Sequence, residues 1–338
     1  MKNLLSLLFI LTTAVCFAGS DSSHYYLQQG LLEKNNKRYL VAHQAFQKSI
    51  SFDSNNAAAY LEDAAVLMEM RRIYEAKSNY EKLLSIDPDN SVAIRELMAL
   101  NFSYRQFEKA IDMAKKCKDC TGKNRIIGMS YYQLEDYAAA EKFLQAALKD
   151  NAEDAEATYT LGRNYLDMEN YRQAVPWYEK AINLPGAKSS WMYELGLLYY
   201  NNNDYRNAVS AFEKAAAAGY EQKNDFNENL GFAALYAGQY EKGEQLLQGI
   251  LKRKPNNTTL LRDIAETFYT QKQYDKSLQY CQQLMEIDPK AGKALYQAGL
   301  CFIKKGDKDR GQQMCDKAIE IDPSLDKLRK KKEMPAGL

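Results

Sequence analysis

The residues in this 338-residue chain whose spacing suggests chemistry are Cys117 and Cys120, a pair separated by Lys118 and Asp119. Such a pair can act as a redox dithiol, as half of a zinc site, or as a local disulfide. A redox thiolate needs stabilisation at a helix N-terminus inside an α/β unit, whereas the pattern here puts Cys117 at the end of a helical segment. Zinc needs further Cys or His ligands at suitable spacing, and none lies nearby. A local disulfide and a pair of free thiols stay open. Cys281 and Cys315 are 34 residues apart at matched positions and read as small buried hydrophobes. His24 and His43 are the only histidines. The pattern places no acid or nucleophile beside either, so both read as polar surface side chains. Neighbouring acids such as Glu153 and Asp154 read as solvated loop charges. There is no Gly-rich phosphate loop, metal motif or nucleophile elbow. The expectation is therefore no catalytic residue, no metal and no cofactor. The balance of 45 Lys plus Arg against 44 Asp plus Glu argues against a nucleic-acid or acidic-membrane partner held mainly by neutralising phosphates.

The elements that would position any site are visible as a period. Gly128, Gly162, Gly196, Gly231, Ala265 and Gly299 are spaced 34, 34, 35, 34 and 34 residues apart. Tyr137, Tyr171, Tyr205, Tyr240 and Tyr274 follow nine residues after the first five, and each precedes a small residue by three: Ala140, Ala174, Ala208, Gly243 and Ser277. Pro255, Pro289 and Pro323 close units at the same period. Within one unit, Leu161, Gly162 and Tyr165 recur at helical spacing, as do Ala174, Tyr178 and Ala181, which predicts two amphipathic helices of about a dozen residues. Small residues on both helices let the backbones approach, and a terminal proline stops the second helix. Such a pair cannot bury its apolar face alone; stacking on its neighbours does so. Nine units tile the chain: 23–56, 57–90, 91–120, 121–154, 155–188, 189–222, 224–257, 258–291 and 292–325.

These columns resemble the tetratricopeptide repeat family over about nine-tenths of the chain. The eighth position is small in every unit except for Met98, and the twentieth is small in all nine. The resemblance implies an all-α fold, a right-handed α-solenoid of about nine stacked helix-turn-helix repeats. Gln29, Glu33 and Asp63 depart from the pattern at positions usually apolar in the family, which leaves the first unit and part of the second weak. The resemblance also implies a concave groove lined by the first helices, at roughly positions 2, 5, 9, 12 and 13. Here that stripe carries Arg95, Phe102, Arg125, Tyr132, Tyr159, Arg163, Tyr193, Tyr200 and Tyr269, with Phe232, Tyr236, Arg262 and Tyr296 beside them. Arg and Tyr are enriched at interface hot spots. The carboxylate clamp that some family members use for chaperone tails is absent, because positions 5 and 9 read Leu27 and Leu31, Leu61 and Ala65, Arg95 and Ala99, Arg125 and Met129. Arg95, Arg125 and Arg163 are still able to hold a carboxylate or phosphate in forked pairs.

The ends carry other signals. Residues 1–18 run from Lys2 through an apolar stretch to Ala18, the order of a secretory signal peptide cleaved after Ala18. A competing reading makes Cys16 a lipid-bearing residue, although Val15 suits that poorly. No later stretch is long and apolar enough to cross a membrane. Residues 326–338 form a basic tail: Leu325 just before it and Leu328 within it are expected to cover the last repeat while the lysines keep that end soluble, a membrane-surface or nucleic-acid contact being the alternative. The function these features predict is a non-enzymatic scaffold or adaptor in the bacterial periplasm or cell envelope, binding a partner peptide or protein in its groove. A glycan- or small-ligand-binding module using the tyrosine-rich groove is the alternative.

Overall fold

The structure, a computed structural model, describes residues 21–328. Residues 1–18, where the sequence leads one to expect a signal peptide, with Cys16, and the tail beyond residue 328 lie outside the described residues. Regular structure among the described residues is helical throughout, and no helix there is long and apolar enough to cross a membrane. The chain divides after Trp177 into an N-terminal and a C-terminal body. The N-terminal body holds α1 (21–35), α2 (Tyr39–Phe52), α3 (Ala57–Glu69), α4 (Ile73–Ile86), α5 (Ser91–Ser103), α6 (Phe107–Lys116), α7 (Lys123–Gln133), α8 (Tyr137–Asp150) and α9 (Ala155–Asp167). The boundary falls within α10 (Tyr171–Ile182). The C-terminal body holds α11 (Ser189–Asn201), α12 (Tyr205–Ala217), α13 (Asn224–Tyr236), α14 (Tyr240–Arg253), α15 (Thr258–Thr270), α16 (Tyr274–Ile287), α17 (Gly292–Lys305) and α18 (Lys308–Ile321), then a 3₁₀ turn, Pro323–Leu325.

The helices pair in chain order, odd with even, for local reasons that repeat. Asn56, Asn90, Asp154 and Asn257 cap α3, α5, α9 and α15, each side chain accepting the backbone N–H three residues on. Such a cap contributes about 0.5–2 kcal/mol. The turn from first to second helix is closed by a pair of reversed hydrogen bonds: Arg71 N–H donates to the Met68 carbonyl and Arg72 N–H to that of Leu67. Arg105 and Gln106 repeat this on Phe102 and Asn101. The residue at the bend takes a left-handed backbone: Lys37, Arg71 and Arg105 (φ 58° each), Glu135 (61°), Glu169 (56°), Asn203 and Lys272 (60° each), and Gly238 and Gly306. The aromatic column of the sequence supplies the first residue of the second helices, as in Tyr137, Tyr171 and Tyr205.

Small residues set the approach of the paired helices. A Cβ on Gly128 would lie 2.8 Å from Leu144, and one on Gly311 would lie 2.5 Å from the Gly299 carbonyl oxygen. Larger side chains then fill the seams between pairs. Ala42 and Phe46 of α2 pack with Ala59 and Val66 of α3, and Phe212 of α12 packs with Phe226 of α13. Leu325 is buried beside Tyr296, Cys315 and Ala318, whereas Leu328 is half exposed.

The first two repeats are tied by polar contacts that the departures from the pattern had concealed. Gln29 and Glu33 are half-buried, and Glu33 pairs with Arg38 at 3.3 Å. Asp63 is fully buried on α3 and accepts three hydrogen bonds: His43 Nδ1 at 2.6 Å, Gln47 Nε2 at 2.7 Å and Asn79 Nδ2 at 2.7 Å. A buried polar group with partners no longer weakens its site. His43 is therefore not a lone surface imidazole: the carboxylate fixes Nδ1 as its protonated nitrogen. In the shortened third repeat, Cys117 and Cys120 are joined by a disulfide across the end of α6. Lys123 Nζ donates to the carbonyls of Cys117 and Lys118 at 3.1 and 2.9 Å.

Candidate functional site

In the N-terminal body, α7 lies between α5 and α9, and together these three first helices line a cleft of about 470 Å³. Four residues of the sequence stripe meet there: Phe102, Tyr132, Tyr159 and Arg163. The cleft also takes Met129, at position 9 of the stripe though not named among its contacts, and Phe107, which lies outside the stripe. Phe107 stands in the same column as Tyr137 and Tyr171, so the signal that could have found it was present in the period. Arg95 and Arg125 do not line this cleft.

Its walls are aromatic. Phe102 meets Phe107 edge-on at 5.9 Å, and Tyr132 lies 6.3 Å from Tyr137. The Tyr132 hydroxyl donates to Asp167 Oδ2 at 2.6 Å. Burial and that carboxylate push the phenol well above its usual range, so it stays a donor. Arg163 approaches the same Asp167 oxygen at 4.0 Å, and its Nη1 lies 3.4 Å from the Tyr159 hydroxyl oxygen.

The arginines expected to hold an anion are already balanced within the chain. Arg125 Nε is 3.7 Å from Asp154 Oδ2, Arg95 Nε is 3.7 Å from Glu96 Oε1, and Arg163 shares Asp167. Exposed pairs of this kind contribute only about 0–1 kcal/mol, yet they offset these three charges, which leaves Arg105 on the cleft wall as a cation without an ionic partner among the described residues. What remains is an apolar, aromatic slot with a polar rim. Its chemistry suits an apolar or aromatic side chain from an extended segment.

The C-terminal body holds the other stripe residues in separate aromatic clusters. Tyr193 stacks on Tyr220 at 4.6 Å and on Phe226 at 5.7 Å, and its hydroxyl accepts from Asn229 Nδ2 at 2.8 Å. Tyr200 meets Tyr205 and Tyr236 at 5.5 and 6.3 Å, and burial pushes its phenol up to about 12. Tyr269 lies edge-on to Tyr274 at 5.7 Å. Three stripe tyrosines thus touch the tyrosine that opens the second helix, five residues on: Tyr132 with Tyr137, Tyr200 with Tyr205, Tyr269 with Tyr274. Turn and groove tyrosines are one set of contacts, not two. No group of three or more His, Cys, Asp or Glu side chains able to hold a metal lies among the described residues.

Comparison with known proteins bears on the family. A first tetratricopeptide repeat profile matches residues 127–190, 159–228, 193–254 and 228–292, and a second matches residues 57–90 and 292–325. No curated protein sequence matches significantly. Among solved structures, YrrB, described as a TPR protein with an unusual peptide-binding site, is similar at 25% identity over 56% of this chain and 98% of that one, with a TM-score of 0.40. PilF of Pseudomonas aeruginosa is 19% identical over 71% and 95% of the two chains, TM-score 0.33. A tetratricopeptide repeat protein from Parabacteroides merdae is 15% identical over 62% and 84%, TM-score 0.39. With its helices paired in tandem and the repeat profiles spanning residues 57–90 and 127–325, the chain belongs to the tetratricopeptide repeat family.

Proposed function

We propose that this protein is a non-enzymatic scaffold of the bacterial cell envelope that takes a segment of its partner into the cleft formed by α5, α7 and α9. Tetratricopeptide repeats serve generally as protein-protein interaction scaffolds, and family and fold support that coarse role here. The observation that carries the finer reading is the aromatic slot of Phe102, Phe107, Met129, Tyr132 and Tyr159. Burying one apolar side chain there is favourable by about 1.5–3 kcal/mol. Rigid aromatic walls lose little conformational entropy on binding. The order of charge, apolar stretch and small residue in residues 1–18 supports the envelope location.

A photo-crosslinking side chain placed at Met129 in cells tests the proposal. The expected result is a specific crosslink to an envelope protein that fades when Phe102→Ala and Tyr132→Ala are combined, while Arg95→Ala leaves it intact. Crosslinks that survive the double substitution, or that arise equally from an outward position such as Lys142, would refute the assignment of the cleft.

A further inference from the structure

Overall charge neutrality conceals a sorting of charge along the repeats. The bend residue between first and second helix reads Lys37, Arg71 and Arg105 in the first three repeats, then Glu135 and Glu169 in the next two. Lys37 and Arg71 are 34 residues apart, as are Arg71 and Arg105, so one cation marks the same corner of each repeat. All three side chains are exposed, and none has an ionic partner among the described residues; Arg105 also stands on the wall of the cleft between α5, α7 and α9. Arg38 and Arg72 follow in the first two turns and are matched by Glu33 and Glu75. The acids left unmatched near these turns are Glu69, which sits in the column of the concave stripe, and Glu108.

Large apolar side chains stand beside these cations. Tyr74 is 79% exposed, Leu40 56% and Tyr104 44%, and the rings of Tyr74 and Tyr104 lie 5.8 Å apart. Leu40 occupies in the first repeat the position of Tyr74 in the second. The C-terminal body shows no such row: its exposed large apolar residues are Ile287, Ile321 and Leu328, none at a turn between paired helices.

We infer that this edge of the N-terminal body, formed by the turns of the first three repeats, seats on an anionic phospholipid surface. Tyrosine and leucine at the tips of turns enter the headgroup region, while lysine and arginine beside them reach lipid phosphates. A fitted protein partner is the weaker match, because its hot spots lie in packed pockets that exclude water. These side chains instead project from successive corners, which suits a fluid surface into which separate tips insert. Charge complementarity is local and modest, so apolar insertion and cations share the hold, consistent with a neutral chain.

The test is flotation of the full chain with phosphatidylcholine vesicles, with and without phosphatidylglycerol. The expected result is association that requires phosphatidylglycerol and weakens with salt. Lys37→Glu, Arg71→Glu and Arg105→Glu together should lower it about a hundredfold. Glutamate is a fair replacement, since Glu135 and Glu169 already adopt this backbone. Leu40→Ser, Tyr74→Ser and Tyr104→Ser together should also lower it, and the single variants Arg71→Glu and Tyr74→Ser are read if either triple loses its thermal transition. The leading segment and basic tail are common to every variant. No association of the unaltered chain with phosphatidylglycerol vesicles overturns the inference. So does association that both sets of variants retain, since the hold would then lie elsewhere. Retention on heparin without vesicle binding would assign the edge to another polyanion and equally overturn it.

Discussion

Asp63 offers the sharpest test of how the first repeats are held. Its carboxylate is fully buried and accepts from His43, Gln47 and Asn79 at 2.6–2.7 Å, joining α2 and α4 to α3. Asp63→Ala removes the acceptor but leaves three donors facing a void. Breaking a buried charged pair by removing one partner costs about 3–5 kcal/mol. The lower end applies here, because Gln47 is exposed and can turn to water. Asp63→Asn keeps the shape and one acceptor oxygen; with amide reorientation on Gln47 and Asn79, it should cost about 1–2 kcal/mol. A triple variant with His43→Leu, Gln47→Leu and Asp63→Leu removes the acceptor and two of its three donors, leaving only the half-buried Asn79 amide, and should recover part of the loss. Stacked repeats are coupled mainly to their neighbours, so the effect should be regional. Amide hydrogen exchange reads it directly: α3 amides should exchange about a hundredfold faster in Asp63→Ala, while those of α8 and α9 hold their rates. Unchanged α3 exchange, or equal acceleration throughout the N-terminal body, would refute the reasoning.

Two further outcomes follow from burial. Cys281, Cys301 and Cys315 are free and buried, and burial pushes the Cys281 thiol up to about 12. Without reductant or denaturant, iodoacetamide should therefore modify no cysteine in the described residues, and unfolding should release these three while Cys117 and Cys120 stay blocked; rapid labelling of the native protein would contradict this. Burial likewise pushes Tyr80 and Tyr200 up to about 12, above the value near 10 of an unfolded tyrosine. Between those values the unfolded chain has released protons that the folded chain retains, so stability present below about pH 10 falls as pH rises toward 12. Chemical denaturation at both ends of that window should show the loss, and a full complement of phenolate absorbance near pH 10 without unfolding would count against it.

What the sequence makes legible is whatever a column repeats. The small residues at the eighth and twentieth positions and the aromatic that opens seven of the nine second helices state one packing rule again and again, so periodicity alone recovers the helix pairs. A contact made once is different. Asp63 finds its partners 16 and 20 residues away, on helices before and after its own, and read along the chain it looked like a defect. The arginines of the stripe read as free cations because their acids, Asp154 and Asp167, come from capping and helix-end columns with structural duties of their own. The tyrosine contacts are hidden for a related reason: residues five apart belong to different helices, yet the bend between them brings the rings together. The bend column carries the opposite lesson. Its left-handed backbone favours glycine, yet seven of its nine members are lysine, arginine, glutamate or asparagine, with side chains free to enter solvent. Packing accounts for columns that stay constant; where a column varies without regard to backbone preference, the surface is the constraint that remains. The run of Lys37, Arg71 and Arg105 ahead of Glu135 and Glu169 is such a variation, and recognition is the role left to explain it.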